Sequence, residues 1–233
     1  MPDTVIEFDT IENALRACVN NVRIHGWGVA SVNSDLADPG SFELAVRSIG
    51  VPYSARTVKE GIEVLSPTTV SMAMPASLSS AYGIGEFPLH TDAAHWPIPP
   101  RLMLMLCVCD EQNRSTQLLP WDIVVSRLSA SGRSAIMRAS YLVRNGRRSH
   151  YCAMNLGSAA LIRLDSNCMT PATSDAVSLA AELEDTIPRL PRHSVRWSAG
   201  MVLVVDNWRV LHGRDGGSGA GQRILVRALL KDG

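Results

Sequence analysis

Seven short apolar runs, bounded by turn-forming residues, recur through the chain after residue 100. They cover residues 101–109, 115–119, 139–143, 160–164, 194–197, 201–205 and 223–230. Runs of this length predict β-strands, and many short strands separated by turns are typical of a sandwich or barrel of antiparallel strands. We therefore expect a mainly β fold.

Helices are predicted mainly towards the N-terminus. Apolar residues recur at helical spacing from Ile11 to Val22, and Gly26 is well suited to end that helix. Residues 27–32 then predict a strand. Ser41 can cap a second helix that closes at Gly50.

Two further helical patterns interrupt the strands, at residues 122–138 and 174–186. No Pro/Ser-rich linker divides the chain, so we expect a single domain over residues 1–233. Residues 66–88 lack periodicity and run directly into His90. Long loops inside compact domains are often lids or binding loops, which makes this segment a candidate lid.

Composition narrows the choice of partners. Lys+Arg and Asp+Glu both number 22, and the resulting formal net charge of zero argues against nucleic acid. The 5 cysteines are odd in number and argue against a disulfide framework. The N-terminus lacks the basic and apolar regions of a signal peptide, and the longest apolar run is too short to span a bilayer. We expect a cytoplasmic protein with no membrane partner.

The segment His90-Thr91-Asp92 and the distant His212 are candidate metal ligands. Two imidazoles and one carboxylate on one face of an octahedral ion form the facial triad of non-haem Fe(II) oxygenases. In an extended segment, residues two apart project to the same side, so His90 and Asp92 can supply two of the ligands.

Arg223 and Arg227 are candidate anion-binding residues. On a strand over residues 222–230 their side chains share one face, where a buried cation is costly unless it is paired with an anion. The planar guanidinium binds a carboxylate through two parallel hydrogen bonds. Each signal occurs by chance in unrelated chains, and a lone histidine is more often structural; only the combination favours an oxygenase.

Three blocks resemble the taurine dioxygenase and clavaminate synthase superfamily of 2-oxoglutarate-dependent oxygenases. Residues 87–101 read FPLHTDAAHWPIPPR and resemble its proximal metal motif. Residues 200–214 read GMVLVVDNWRVLHGR and resemble its distal motif, which is the most specific of the three. Residues 222–227 read QRILVR and resemble its closing arginine strand. In order and spacing, the resemblance covers residues 10–230.

The resemblance implies a double-stranded β-helix, which is a jelly roll of the cupin type with helices packed outside. It implies that His90, Asp92 and His212 bind Fe(II), that Arg223 holds the distal carboxylate of 2-oxoglutarate, and that Arg227 lies near the primary substrate or the cosubstrate. Thr116 falls where the family often has a threonine that binds the same carboxylate, although residues 113–115 replace the family's glycines. Asp92 also disfavours halogenation, because related halogenases lack this carboxylate.

The implied activity couples O2 and 2-oxoglutarate to the oxidation of a small organic molecule, with natural-product biosynthesis as one expected setting. Hydroxylation is the leading expectation, and desaturation or cyclisation remain open, as do a non-catalytic β-helix ligand-binding module and an enzyme with another metal. Candidate substrate-binding residues are Arg227, His95, Trp96 and Arg163. The cations of Arg227 and Arg163 favour an anionic or amino-acid-like substrate. The sequence does not predict the oligomeric state.

Overall fold

The computed structural model describes residues 5–53, 61–75, 77–112, 114–146, 148–157, 161–216 and 221–231. The strands are β1 (Glu7–Phe8), β2 (Trp27–Val32), β3 (Ile62–Leu65), β4 (Phe87–His90), β5 (Leu102–Asp110), β6 (Ser115–Pro120), β7 (Ser140–Asn145), β8 (Arg148–Ala153), β9 (Met169–Pro171), β10 (His193–Arg196), β11 (Met201–Asp206), β12 (Val210–Arg214) and β13 (Arg223–Leu230). The helices are α1 (Ile11–His25), α2 (Pro39–Ile49), α3 (Leu78–Tyr82), α4 (Trp121–Arg127), α5 (Ala130–Ile136) and α6 (Ser174–Thr186). Within these residues the fold is mainly β with flanking helices, as predicted.

Two sheets form the centre of the molecule. One has the strand order β1-β2-β11-β5-β13-β3, and the other has the order β10-β6-β12-β4. Apart from the parallel β1–β2 pair, neighbouring strands in both sheets are antiparallel. One apolar cluster draws on both sheets, so they pack face to face; its members include Met103, Leu203, Leu225, Leu118, Val195 and Val210.

The outer face of the six-stranded sheet is covered by α1 and α2. Leu15 of α1 and Phe42 of α2 are fully buried there against Leu104 and Val204. Burying a side chain of this kind contributes about 1.5–3 kcal/mol. Since helix packing needs an apolar face, the spacing seen in the sequence predicted α1 correctly.

The ends of these helices follow local chemistry. Thr10 caps α1 by accepting a hydrogen bond from the Asn13 amide at 3.2 Å, and Gly26 ends it with φ 84°. Asp38, rather than Ser41, caps α2, because the Asp38 side chain accepts from the Ser41 amide at 3.0 Å and Pro39 takes the first helical position. The predicted start of α2 was therefore wrong.

A three-stranded sheet, β8-β7-β9, packs with α4, α5 and α6 beyond the four-stranded sheet. The predicted helix at 122–138 is two helices, because the chain is extended at Leu128 and Ser129 caps α5. Residues 161–164, predicted to be part of a strand, form only an isolated bridge between Ile162 and Asn155; residue 160 lies outside the described residues.

The segment 66–88 is not a featureless loop. Its described residues contain a 3-10 turn at Val70–Met72, the short helix α3 and the start of β4. In the described part of the chain, no helix is long and apolar enough to cross a membrane.

Candidate metal centre

The strands β4 and β12 bring the two candidate histidines together. They are antiparallel neighbours, and His212 lies directly opposite His90 in their register. The two imidazole centroids are 4.6 Å apart. A Cβ at Gly213 would lie 2.6 Å from the Phe87 carbonyl oxygen, so glycine allows β12 to approach β4 closely. His90 and His212, which are more than a hundred positions apart in the sequence, thus lie opposite each other on paired strands.

Asp92 completes the cluster two residues beyond the end of β4. Its carboxylate oxygens lie 3.6 Å from His90 Nε2 and 3.7 Å from His212 Nε2. One ligand atom from each of the three residues can be chosen so that all lie within 4.8 Å of one another. The three residues are only 6–7% exposed. This donor set, two imidazoles and one carboxylate, has the composition of the facial triad.

The histidine contacts are compatible with a metal. His90 Nδ1 lies 2.9 Å from the Pro88 carbonyl oxygen, which leaves Nε2 directed at the cluster. Metal-binding histidines commonly donate their other ring N–H to such a group. His212 Nδ1 is buried without a hydrogen-bond partner among the described residues.

The electrostatics of the cluster keep the carboxylate ionised. Burial alone raises the pKa of Asp92, but Arg227 and both histidines outweigh burial and hold that pKa well below its ordinary value. Burial also lowers the pKa of both imidazoles. In His90 the contact with Asp92 outweighs burial, so the pKa of His90 is raised. In His212 the charge of the neighbouring His90 adds to the effect of burial, and the pKa of His212 is lowered.

The backbone of Asp92 is held by Asn207. The Asn207 side-chain oxygen accepts from the Asp92 amide at 2.8 Å, and its amide group donates to the carbonyls of Asp92 at 3.0 Å and Pro100 at 2.8 Å. Asn207 is fully buried. It therefore ties the proximal motif to the distal one.

Arg227 holds the Asp92 side chain. Its Nη1 donates to both carboxylate oxygens, at 3.0 and 2.8 Å, and its Nη2 donates to Glu63 at 2.5 Å. Arg227 was expected to bind substrate or cosubstrate. It does line the cavity beside the triad, but its two terminal nitrogens bond to protein carboxylates.

A cavity of about 400 Å³ opens beside the triad. Arg223 and Thr116 both line it. Thr116 Oγ1 accepts from the Trp197 indole at 2.9 Å, so its own hydroxyl proton is left for another acceptor. Arg223 is 7% exposed, and among the described residues it lies 3.8 Å from a carboxylate oxygen of Asp110. Burial lowers the pKa of Arg223, so an anion in the cavity would offset the cost of burying this cation.

A further arginine, Arg214, also lines the cavity. Its guanidinium lies over the Phe87 ring at 3.7 Å and donates to the carbonyls of Gly83 at 2.8 Å and Gly85 at 2.6 Å. Burial, together with the charges of Arg114 and Arg223, lowers its pKa to about 10. Arg214 thus anchors the end of the 66–88 segment to the strand that carries His212.

The remaining predicted substrate residues lie in different places. His95 lines the cavity, whereas Trp96 lies in a separate shallow pocket and packs edge-on against Tyr53 with centroids 4.6 Å apart. Arg163 is 0% exposed and is not among the described lining residues. Its terminal nitrogens donate to the carbonyls of Ala94, Trp96 and Pro97 at 3.1, 2.6 and 2.7 Å. The geometry gives Arg163 a structural bracing role in place of the expected substrate contact.

Sequence reasoning missed three charged groups at the site: Glu63, Asp165 and Arg214. Asp165 and Arg214 line the cavity, and Glu63 contacts Arg227. Of these three residues, only Arg214 had a sequence signal, because it is the last residue of the distal motif.

Comparison with known proteins supports the predicted resemblance. Residues 165–229 match the family model described as taurine catabolism dioxygenase TauD, TfdA family. No curated protein sequence matches the chain. Solved structures match it over nearly its whole length.

Three of these solved structures illustrate the similarity. Asparagine oxygenase, in complex with Fe(II), hydroxyasparagine and succinate, has 18% identity and a TM-score of 0.73, covering 94% of this chain and 80% of its own. PvcB from Pseudomonas aeruginosa has 15% identity and a TM-score of 0.71, covering 95% and 82%. The non-haem iron oxygenase OrfP, with Fe and α-ketoglutaric acid, has 19% identity and a TM-score of 0.70, covering 95% and 79%. The fold is thus that of these solved oxygenases, and the family-model match over residues 165–229 confirms the predicted resemblance in that segment.

Proposed function

We propose that this protein is an Fe(II)- and 2-oxoglutarate-dependent dioxygenase that hydroxylates a small amino-acid-like molecule. The observation that carries the proposal is the buried cluster of His90, Asp92 and His212, which opens onto a cavity lined by Arg223. Bound iron and 2-oxoglutarate would supply the activation of O2.

The three donors suit Fe(II). Imidazole nitrogen and carboxylate oxygen are ligands that Fe(II) accepts, and the facial arrangement leaves positions for cosubstrate and O2. His90 would bind through Nε2, because Nδ1 lies against the Pro88 carbonyl. Asp92 stays ionised since its pKa is held low.

Arg223 and Thr116 are our candidates for holding the distal carboxylate of 2-oxoglutarate. Arg223 supplies a buried cation whose ion-pair contact among the described residues is a long one, 3.8 Å to Asp110, and the Thr116 hydroxyl has a proton to donate. These groups line the same cavity as the triad, so a diacid bound to the metal at one end could place its other carboxylate near them. Its orientation would then be set at both ends, which favours reaction over release.

His95 is our candidate substrate contact, because it lines the cavity on the segment that follows Asp92. An amino-acid-like substrate is supported by the structural neighbours solved with hydroxyasparagine and hydroxyarginine. Asp165 and Arg214, which also line the cavity, provide charges of both signs for such a zwitterion.

We also propose that the two facing sheets form a double-stranded β-helix and that residues 1–233 make one domain. Residues of the 66–88 segment, including Met74 and Leu78, line the cavity and support the lid assignment. A cytoplasmic location stays a prediction.

The proposal is tested by supplying Fe(II), 2-oxoglutarate and O2 with each amino acid of a panel and measuring succinate. We expect at least one amino acid to raise succinate formation above the basal rate. The matched variants are His212→Ala, which should abolish the increase, and His25→Ala, whose exposed histidine lies at the end of α1 and should leave it unchanged. An increase that survives in His212→Ala, or no succinate under any condition, would contradict the proposal.

A further inference from the structure

Glu63 and Arg227 face each other across two strands. In the antiparallel register of β3 and β13, Arg227 pairs directly with Glu63. Directly opposed residues in such a pair have Cβ atoms about 4.5–5.5 Å apart, close enough for long side chains to bond. The strand pairing therefore places a carboxylate beside Arg227 on the side away from β5.

The Arg227 guanidinium donates hydrogen bonds to two carboxylates. Nη1 donates to both oxygens of Asp92, and Nη2 donates to Glu63. The three side chains are 17%, 9% and 13% exposed, in the order Arg227, Asp92, Glu63. The cation is thus held by two charges rather than one.

We propose that Arg227 and Glu63 are positioning residues for the metal-ligating carboxylate of Asp92. This inference rests on the proposed function, since it assigns Asp92 to a metal. Arg227 limits rotation of the Asp92 carboxylate by bonding both of its oxygens. Glu63 fixes Arg227 by accepting a hydrogen bond from its Nη2, so the guanidinium keeps its orientation toward Asp92.

Losing Glu63 would release Arg227 Nη2 from its hydrogen bond and loosen the guanidinium that orients the Asp92 carboxylate. Removing groups that orient metal ligands typically weakens metal binding about 10- to 100-fold. We expect Glu63→Gln to weaken Fe(II) binding by that factor.

The test is anaerobic Fe(II) titration of the full chain in the presence of 2-oxoglutarate, followed by visible absorbance. Glu43→Gln is the matched control, since Glu43 pairs with Arg47 at 2.5 Å on α2, which packs on the six-stranded sheet, whereas β4 and β12 belong to the other sheet. Its metal affinity should equal that of the wild type. Arg227→Gln and the Glu63→Gln/Arg227→Gln double variant complete a double-mutant cycle. If Glu63 acts through Arg227, the double variant binds metal no more weakly than Arg227→Gln alone.

The outcomes separate this inference from the proposed function. A wild-type chain that binds no Fe(II) would overturn both. A wild type that binds Fe(II), with Glu63→Gln binding equally tightly, would overturn the inference and leave the function standing. If Glu63→Gln does not fold, Arg227→Lys carries the test, because it keeps the cation and loses the planar fork; wild-type affinity in that variant would also overturn the inference.

Discussion

Asn207 and Asp92 are joined by two hydrogen bonds, with the Asn207 side chain accepting from the Asp92 amide at 2.8 Å and donating to its carbonyl at 3.0 Å. The side chain therefore pairs with a backbone unit whose own side chain is a candidate metal ligand. Asn207 in the distal motif therefore stabilises the backbone of the proximal motif at Asp92.

Asn207→Ala should lower the free energy of unfolding of the metal-free protein by at least about 3 kcal/mol. The substitution leaves the Asp92 amide and the Asp92 and Pro100 carbonyls without their buried partner, and each unsatisfied group costs about 1–3 kcal/mol. Urea denaturation measures the change. A loss below about 1 kcal/mol would show that these groups find other partners.

Arg223→Met should weaken 2-oxoglutarate binding to the metal-loaded, anaerobic protein about 10- to 100-fold, because a hydrogen bond to a charged group contributes about 1.5–3 kcal/mol. Fe(II) binding without 2-oxoglutarate should not change. Calorimetric titration measures both affinities. Arg196→Met, at an exposed arginine of β10, is the control and should bind 2-oxoglutarate normally; equal affinities in the two variants would argue against the assignment of Arg223.

Arg163→Met should destabilise the fold by at least about 3 kcal/mol, since three carbonyls of the segment after Asp92 lose their donor. Chemical denaturation measures the change. Arg16→Met removes an exposed arginine paired with Glu12 and should stay within about 0.5 kcal/mol of the wild type. A stable Arg163→Met protein that has lost only substrate binding would restore the original interpretation of this residue.

Asp206→Asn should gain stability relative to the wild type as the pH rises from about 4 to 7. Burial raises the pKa of Asp206, and the nearby Arg101 only partly opposes it. The folded state thus holds the proton more tightly than the unfolded state, and this contribution is lost as pH rises through the folded pKa. Each tenfold difference in proton affinity corresponds to about 1.4 kcal/mol.

Urea titrations at several pH values test the sign. Asp175→Asn is the control, because hydrogen bonding to Arg138 lowers the pKa of that partly exposed carboxylate. Its stability relative to the wild type should change in the opposite direction with pH. Matching pH profiles for the two variants would contradict this account of Asp206.

Elements with strong local signals were predicted well from the sequence. The helix α6 and the strands β2 and β13 have the predicted bounds, because periodicity, caps and flanking turns act locally. The motif blocks likewise pointed to the cluster of His90, Asp92 and His212, which the fold brings together.

Features that depend on pairing between distant strands could not be predicted. Glu63 contacts Arg227 only because β3 pairs with β13 in one register, and nothing in the sequence around Glu63 specifies that pairing. Arg163 was expected to bind substrate, but a guanidinium can also be satisfied by backbone carbonyls, which carry no sequence signal.

The central claim is that His90, Asp92 and His212 bind one Fe(II) together with 2-oxoglutarate, and anaerobic metal titration of the wild type tests it most directly. The account predicts one bound Fe(II) per chain, a new visible absorption band when 2-oxoglutarate is added, and loss of both in His90→Ala. A wild type that takes up no Fe(II), or a His90→Ala variant that binds it as tightly as the wild type, would contradict the account.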